Sequence, residues 1–303
     1  MAIILANDSM DEKAAKILND KGHDLIEHHY EIDELKKKIK EVDAIIVRSA
    51  TKIRTETIDE AVKGNNLKLI IRAGIGLDNI DVDYAESKGI KVKNTPNSSS
   101  RSVAELAIGQ MISLARYTYI ANVTMRDGQW NKKQYKGTEV LGKELGIVGF
   151  GRIAKITAEL GNALGMKVSY TNRSGPKDGY EEYKYKELDD LLKESDYLSI
   201  HVPFDKDKGA LINNEAFLKM KEGVYIVNCS RGGVVDEAAL LKALDSGKVA
   251  AAAVDVFEEE PTKNKELYTH PKVALTPHIG GSTKEAQARI GQEIISVVDQ
   301  FFK

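Results

Sequence analysis

The chain has 303 residues, of which 42% are hydrophobic and 30% charged, with a formal net charge of −2 at pH 7. This length predicts one or two globular domains, and the balanced charge excludes the basic surface that nucleic acids or anionic membranes require. The single cysteine, the lack of a membrane-length apolar run and an N-terminus without a secretory pattern lead us to expect a cytoplasmic protein.

Short apolar runs alternate with helical patterns over the first 95 residues. Five runs are predicted as strands, namely Ala2–Ala6, Asp24–His28, Ala44–Arg48, Leu67–Ile71 and Ile90–Lys93. The segments between them carry apolar residues at helical spacing. Such βα repetition predicts a parallel sheet covered by helices on both faces.

A long apolar helix is predicted next, from Ser100 to about Met125. Its large apolar residues are Leu106, Ile108, Met111, Ile112, Leu114 and Ile120. A helix this apolar needs a partner on more than one face, and Trp130 and Tyr135, which follow it, are of the kind that anchor interfaces. We expect a homodimer, or a dimer of dimers, through this region. The alternative is a helix buried wholly within its own domain.

A second βα series begins at Leu145. Its predicted strands are Leu145–Phe150, Lys167–Tyr170, Tyr197–Val202, Val224–Val227, Ala250–Val254 and Val273–Leu275, and a last helix runs from Lys284 to Phe301. The predicted fold class is therefore α/β, with two doubly wound parallel-sheet domains in tandem.

A glycine turn between a predicted strand and a predicted helix indicates a dinucleotide site. Gly149 would form the tight turn, and Gly151 would let the backbone approach a pyrophosphate. Ala154 supplies the small residue that close packing of helix on strand requires. The free N–H groups of the first helical turn, at Arg152 and Ile153, would then face the anion.

The residue that contacts the adenosine ribose is expected about 20 residues further on, at the end of the next strand. Asn172 stands there, followed by Arg173 and Ser174. An acidic residue would favour NAD because it repels a 2′-phosphate, whereas arginine pairs with that phosphate and serine donates to it. We expect NAD or NADP, with NADP tolerated or favoured. The alternative is that Arg173 is a solvated loop residue.

Hydride transfer between a hydroxy acid and nicotinamide requires an acid–base group, a partner that orients it and a cation for the substrate carboxylate. Arg231, Glu260 and His278 each follow a predicted strand and supply these types. Of the six histidines, His278 alone is bracketed at a strand end by proline and glycine, and a nearby carboxylate would fix its tautomer. His201 also ends a strand and is expected to line the cofactor site.

Long motifs occur in order along the whole chain. They are VRSATKI (47–53), RAGIGLDNID (72–81), NTPNSSSRSVAELAIG (94–109), DGQW (127–130), NCSRGGVVDEAALLKAL (228–244), AAVDVFEEEP (252–261) and TPHIGGSTKEAQ (276–287). On these motifs and the glycine turn the chain resembles the D-isomer-specific 2-hydroxyacid dehydrogenase family, and most of all its phosphoglycerate dehydrogenase branch.

The resemblance implies roles for individual residues. Arg231 would bind the substrate carboxylate and carbonyl, His278 would be the acid–base and Glu260 its partner, while Asp255 would contact the nicotinamide side of the cofactor. Further cofactor contacts are expected at Val202, Pro203, Cys229, Ser230 and Gly280. No metal site is expected.

The resemblance also implies two domains with a cleft between them. A flavodoxin-like substrate domain would comprise residues 1–95 plus 283–303, and a Rossmann cofactor domain residues 96–282. Closure of the cleft would expel water. Long members of the family carry a C-terminal domain that binds serine, and because the sequence ends at Lys303 we expect neither that domain nor its feedback.

The expected substrate is a small 2-hydroxy acid. A phosphorylated one requires extra cations, which Arg48, Lys52 and Arg72 supply, while Ser49, Gly74 and Asn97 can donate hydrogen bonds. The favoured reaction is oxidation of 3-phosphoglycerate to 3-phosphohydroxypyruvate in serine biosynthesis. The first alternative is an NADPH-preferring hydroxypyruvate or glyoxylate reductase. An alternative of another class is a dinucleotide-sensing protein similar to the family's transcriptional corepressors.

Overall fold

The computed structural model describes all 303 residues. Its strands are β1 Ile3–Ala6, β2 Asp24–Glu27, β3 Ala44–Val47, β4 Leu69–Arg72, β5 Lys91–Asn94, β6 Glu144–Val148, β7 Lys167–Thr171, β8 Lys184–Tyr185, β9 Tyr197–Ile200, β10 Val224–Asn228, β11 Val249–Val254 and β12 Val273–Leu275. Its α-helices are α1 Glu12–Asp20, α2 Ile32–Lys38, α3 Thr55–Gly64, α4 Val82–Ser87, α5 Ser100–Ala115, α6 Thr118–Arg126, α7 Arg152–Ala163, α8 Leu188–Glu194, α9 Asn214–Lys219, α10 Glu237–Ser246, α11 Lys265–Tyr268 and α12 Lys284–Phe301.

The chain divides into two compact units. The first comprises Met1–Ser100 together with Gly281–Lys303, and the second comprises Arg101–Gly280. The first unit is therefore built from both ends of the chain, and the second is continuous.

The first unit contains a five-stranded parallel sheet in the order β2-β1-β3-β4-β5. This is the flavodoxin-like order, in which the strand sequence reverses between β1 and β3. The helix α12 covers one face, where Ile290, Ile294 and Val298 are buried in a shared core with β1. Gly291 permits the contact with α1, because a Cβ there would lie 2.6 Å from that of Ala14.

The second unit contains a seven-stranded parallel sheet in the order β12-β11-β10-β9-β6-β7-β8. This is the Rossmann order with one further strand, and it reverses between β6 and β9. Separate apolar cores lie on its two faces. Both units are thus doubly wound parallel α/β folds, as predicted, although the two-residue strand β8 was not expected.

The predicted helix from Ser100 to Met125 is wrong as a single element. The structure has α5 and α6 instead, separated at Arg116 and Tyr117, and Tyr117 is left-handed with φ 56°. The carbonyl of Ala115 accepts a hydrogen bond from the distant Thr138 N–H at 2.9 Å. That carbonyl is engaged outside the helix, so the helix ends there.

Most of the apolar surface of α5 is buried within its own unit. Met111, Leu114 and Ala107 lie in one of the two cores of the second unit, whereas Ile112 is 39% exposed. Burial of the helix within its own unit, which is the alternative considered above, therefore accounts for most of the apolar side chains of α5. No helix in the molecule combines the length and the apolar character that a membrane crossing needs.

Candidate active site

The predicted catalytic and cofactor residues all follow strands of the second unit. Carboxyl ends of parallel strands lie at one edge of a sheet, which is where doubly wound folds bind ligands. In chain order the residues are Gly149, Gly151, Arg152 and Ile153 after β6, Asn172, Arg173 and Ser174 after β7, His201, Val202 and Pro203 after β9, Cys229, Ser230 and Arg231 after β10, Asp255 and Glu260 after β11, and His278 and Gly280 after β12.

The glycine turn lies at the point where the strand order of this sheet reverses. Gly149 has φ 86°, and a Cβ there would lie 2.7 Å from the carbonyl oxygen of His201 and 2.6 Å from Val202. Only glycine fits both the conformation and the close approach of the two strand ends. The turn after β6 and the turn after β9 are therefore in direct contact.

The first turn of α7 fits a dinucleotide pyrophosphate. Gly151 is the N-cap residue, no side chain accepts from the first N–H groups, and a Cβ at Gly151 would meet nothing within 4 Å. Ala154, buried beneath this turn, leaves room for helix and strand to pack. Free N–H groups at the positive end of a 12-residue helix, beside open space, suit an anion.

The loop after β7 brings three polar side chains together. Asn172 donates from Nδ2 to Ser174 Oγ at 2.8 Å, and Lys177 donates from Nζ to the same oxygen at 2.8 Å. Since Ser174 Oγ accepts from both, its own proton is available to a ligand. Lys177 was missed in the sequence, where only its place three residues after Ser174 could have suggested it. Arg173 is exposed in the same loop.

His278 and Glu260 form a hydrogen-bonded pair. The His278 Nδ1 to Glu260 Oε2 distance is 2.7 Å, and both side chains are about one-third exposed, at 32% and 36%. Nδ1–H donates to the carboxylate, which leaves Nε2 for proton exchange. Burial would raise the pKa of Glu260, but the hydrogen bond and charge of His278, the Phe257 N–H and the charge of Arg231 together lower it.

Asp255 holds the turn that presents His278. The His278 backbone is left-handed, with φ 53°, a conformation that costs a non-glycine residue about 1–3 kcal/mol. The Asp255 carboxylate, which is 1% exposed, accepts from Thr276 Oγ1 at 2.6 Å and from the N–H groups of Ile279 and Gly280, each at 2.9 Å. Three donors on one buried carboxylate therefore stabilise the strained turn.

Asn228 shapes the loop that carries Arg231. Its Oδ1 accepts from the N–H and the hydroxyl of Ser230, and its Nδ2 donates to the carbonyl of Arg231 at 3.1 Å. Arg231 Nη1 donates to the carbonyl of Ser230 at 2.6 Å. The sequence did not single out Asn228, because its role depends on how this loop folds back.

Of two further predicted cofactor residues, Cys229 is buried and His201 is partly buried. Cys229 is 7% exposed, and burial, followed by the charge of Asp255, raises the pKa of its thiol. His201 Nε2 lies 2.9 Å from Ser199 Oγ, and burial lowers the pKa of the ring to about 4. The imidazole of His201 is therefore neutral at physiological pH.

The six predicted substrate residues lie at the corresponding edge of the first unit: Arg72 is the last residue of β4, and the other five follow β3, β4 or β5. The loop after β3 is held by Asp8, whose carboxylate accepts from Arg48 N at 2.6 Å and from Thr51 Oγ1 at 2.8 Å. Ser49 and Lys52 in that loop are exposed.

The turn after β4 has a different internal arrangement. Arg72 folds over Gly74, where a Cβ would lie 1.4 Å from Nη1, so that glycine makes room for the guanidinium. Gly74 N–H donates to the Arg72 carbonyl at 2.8 Å, so this predicted donor is already engaged. Asn97 is exposed in the loop after β5.

The fold and these sites define a nicotinamide-dependent dehydrogenase, and comparison with known proteins agrees. Residues 108–280 match the family model described as D-isomer specific 2-hydroxyacid dehydrogenase, NAD binding domain. The hydroxypyruvate reductase of Thermotoga maritima is 48% identical over 301 residues, which cover 98% of this chain and 96% of that protein. A glyoxylate reductase from Paecilomyes thermophila superposes with a TM-score of 0.88, at 32% identity, over 98% of this chain and 94% of that one.

The D-3-phosphoglycerate dehydrogenase of Rattus norvegicus is 43% identical over 96% of this chain but only 55% of its own length. The chain thus spans about half of the length of the curated phosphoglycerate dehydrogenases it matches. The chain belongs to the D-isomer specific 2-hydroxyacid dehydrogenase family. It is an oxidoreductase of that family, with a nicotinamide-cofactor domain.

Proposed function

We propose that His278 exchanges a proton with the substrate oxygen while Arg231 binds the substrate carboxylate. The 2.7 Å bond between His278 Nδ1 and Glu260 Oε2 carries this proposal, because it orients the ring and leaves Nε2 to act. A guanidinium binds a carboxylate through two parallel hydrogen bonds, which suits Arg231. The nicotinamide, when bound, gives or takes the hydride.

In the direction of reduction, His278 begins protonated and donates from Nε2 to the carbonyl oxygen of the 2-oxo acid. Glu260 stabilises the positive ring before the transfer and keeps its orientation afterwards. In the direction of oxidation the neutral ring takes the hydroxyl proton. Asp255 acts through the backbone of the turn. By accepting from Ile279 N–H and Gly280 N–H it holds His278 in place before and after the proton transfer.

The substrate that we propose first is 3-phosphoglycerate. Arg48 and Lys52 lie at the strand-end edge of the first unit, and neither side chain takes part in an ion pair. Unpaired cations on one loop suit a phosphate group. The similarity to curated phosphoglycerate dehydrogenases over 96% of the chain supports this choice.

The second candidate is hydroxypyruvate. The relative from Thermotoga maritima that bears that name aligns over nearly the whole of both chains, which favours it. Hydroxypyruvate lacks the phosphate, so it needs Arg231 and His278 but not Arg48 or Lys52. The two candidates therefore predict different responses to substitution in the first unit.

For the cofactor we propose that NADP is accepted at least as well as NAD. The position that would repel a 2′-phosphate with a carboxylate carries Asn172, and the same loop holds Arg173 and the hydrogen-bonded Ser174 and Lys177, which would bind that phosphate. A phosphate there would receive one hydroxyl bond and two charge-assisted bonds.

The catalytic proposal is tested with His278→Asn and Arg231→Ala. We expect both variants to bind reduced cofactor as the wild type does, by nicotinamide fluorescence, and to lose turnover of hydroxypyruvate and 3-phosphohydroxypyruvate by about 10²–10⁴-fold. His270→Asn is the matched control, since that ring contacts Asp245 outside the site. Near-wild-type turnover in His278→Asn would refute the assignment, and no turnover by the wild type with any acid would favour a dinucleotide-sensing protein.

The substrate proposal is tested with Arg48→Ala and Lys52→Ala. A charge-assisted bond to phosphate is worth about 1.5–3 kcal/mol, so kcat/KM for 3-phosphohydroxypyruvate should fall about tenfold to a hundredfold while that for hydroxypyruvate is unchanged. Lys91→Ala, at the amino-terminal end of β5, is the control. If kcat/KM fell equally for both acids, the assignment of Arg48 and Lys52 as phosphate-binding residues would be refuted.

A further inference from the structure

The loops that carry Arg231 and Glu260 leave neighbouring strands, β10 and β11, and touch through their backbones. A Cβ on Gly232 would lie 1.7 Å from the carbonyl oxygen of Phe257. No side chain fits between the loops at this point, so their separation is set by direct backbone contact. Contact alone does not stop one loop from sliding along the other, and a second set of interactions serves that purpose.

Two glutamates exchange hydrogen bonds across the same contact. Glu237, the first residue of α10, accepts from Glu258 N–H through Oε1 at 2.9 Å. In return Glu237 N–H donates to Glu258 Oε1 at 3.1 Å. Each carboxylate therefore accepts from the other residue's backbone, and we call this pair the glutamate clamp. Glu237 is 9% exposed, so its carboxylate depends on these partners in place of water.

The second oxygen of Glu237 is also engaged. Asn264 donates from Nδ2 to Glu237 Oε2 at 2.7 Å, and Asn264 Oδ1 accepts from Leu267 N–H at the start of α11. Glu237 thus holds the segment containing Glu260 on both sides, at Glu258 and at Asn264. Within that segment Phe257 N–H donates to Glu260 Oε1 at 3.2 Å, which directs Oε2 toward His278.

We propose that Glu237 is a positioning residue that fixes Glu260 against His278 and keeps both in register with Arg231. The inference rests on the proposed function, in which His278 is the acid–base. Glu237 bonds to Glu258 and Asn264 and not to Glu260, His278 or Arg231, so it acts through the backbone that leads to Glu260. The charged groups that act on Glu260 are His278 and Arg231.

The test is Glu237→Gln, which keeps the volume but cannot accept from both Glu258 N–H and Asn264 Nδ2. We expect kcat/KM for hydroxypyruvate to fall about tenfold to a hundredfold, with the Kd of reduced cofactor unchanged. The basic limb of the pH profile, which reports the imidazole and carboxylate as one unit, should move to lower pH, because a displaced Glu260 stabilises the protonated ring less.

Asp236→Ala is the matched control. Asp236 is the N-cap of the same helix, accepts from Ala239 N–H at 2.9 Å, and makes no bond to the Glu260 segment. Its loss should lower Tm, as a lost cap costs about 1 kcal/mol, and leave the pH profile unmoved. Glu258→Ala removes only the bond from Glu237 N–H and keeps Glu258 N–H and Asn264 Nδ2 as donors to Glu237, so we expect it to lower kcat/KM less than Glu237→Gln does.

The two proposals fail separately. Near-normal turnover in His278→Asn would refute the proposed function, regardless of the result obtained with Glu237→Gln. If His278→Asn is inactive but Glu237→Gln has a wild-type pH profile and loses only thermal stability, as Asp236→Ala does, then the glutamate clamp is structural and the inference is overturned.

Discussion

At the scale of single residues, the proposed choice between NAD and NADP depends on the loop after β7. An amide at position 172 donates to Ser174 Oγ and so supports the neighbouring hydroxyl, whereas a carboxylate there would accept from both ribose hydroxyls and oppose a 2′-phosphate. Exchange of one side-chain atom at position 172, the amide nitrogen for a carboxylate oxygen, would therefore change the preference between NADP and NAD.

We predict that Asn172→Asp raises the preference for NAD, and that Lys177→Ala and Arg173→Ala weaken NADP without affecting NAD. Only NADP offers a phosphate to these cations, and each charge-assisted bond is worth about 1.5–3 kcal/mol, or roughly tenfold to a hundredfold in affinity. The measurement is Kd for each reduced cofactor by fluorescence. Lys167→Ala, at the start of β7, is a suitable control. An NADP/NAD ratio unchanged in all three variants would show that this loop does not contact the ribose.

The sequence predicts the role of a residue well when its partners are close along the chain, and poorly when they are far apart. The positions of Gly149, Gly151 and Asn172 follow from strand-to-turn patterns that are local, and the structure brings His278 and Glu260 within hydrogen-bond distance. The exchange between Glu237 and Glu258 was not predictable, because it arises where two loops 21 residues apart fold against each other. A pattern within one segment of sequence does not indicate how two separate loops align with each other.

At the scale of secondary structure, the strands and helices followed from periodicity with shifts of one or two residues at most ends. The predicted helix after Ser100 failed because the signal that ends it is tertiary: Gly137 and Thr138 cross the end of α5, and Thr138 N–H occupies the carbonyl of Ala115. No proline or glycine marks the break at Tyr117.

The histidine that directly follows β9, His201, leads us to predict that the stability of the fold depends on pH. Burial lowers the pKa of His201 to about 4, so the folded state holds a neutral ring while the unfolded chain takes up a proton near pH 6.5. Stability is then fully present above about pH 6.5 and falls as the pH drops toward 4, by about 2–3 kcal/mol at most.

We predict that His201→Gln removes most of that loss between these pH values, as measured by urea unfolding without cofactor. His270→Gln is the control, because that ring contacts Asp245 away from the glycine turn. A wild-type slope of stability against pH in His201→Gln would contradict this account.

At the scale of the whole molecule, the second unit carries large apolar side chains that its own cores do not cover. Within α5 and from there to the start of β6, the exposed fractions are 39% for Ile112, 53% for Val123, 51% for Met125, 77% for Trp130 and 68% for Leu141. Tyr135 holds this region together, stacking on Tyr117 and bonding Thr124 Oγ1 at 2.9 Å. Exposed aromatic and apolar groups of this kind are typical of interfaces.

We predict a homodimer through this surface. Trp130→Ala should weaken the dimer by about 2 kcal/mol or more, as expected for a tryptophan central to an interface, and shift the mass seen by light scattering at micromolar concentration toward the monomer. Leu218→Ala, which removes a side chain 71% exposed on α9, is the matched control and should leave the mass unchanged. A monomeric wild type would exclude this interface.

The division of the first unit between the two ends of the chain has a consequence for biosynthesis. Its sheet is translated first, yet the core on one face needs α12, which is translated last, after the 180 residues of Arg101–Gly280. At about 5–20 residues per second the ribosome needs about 10–40 s for that stretch. Throughout this interval Ile4, Ile46 and Ile71 lack the helix that covers them. The segment synthesised first is thus the last to be completed, and until then it exposes an apolar face that a chaperone can bind.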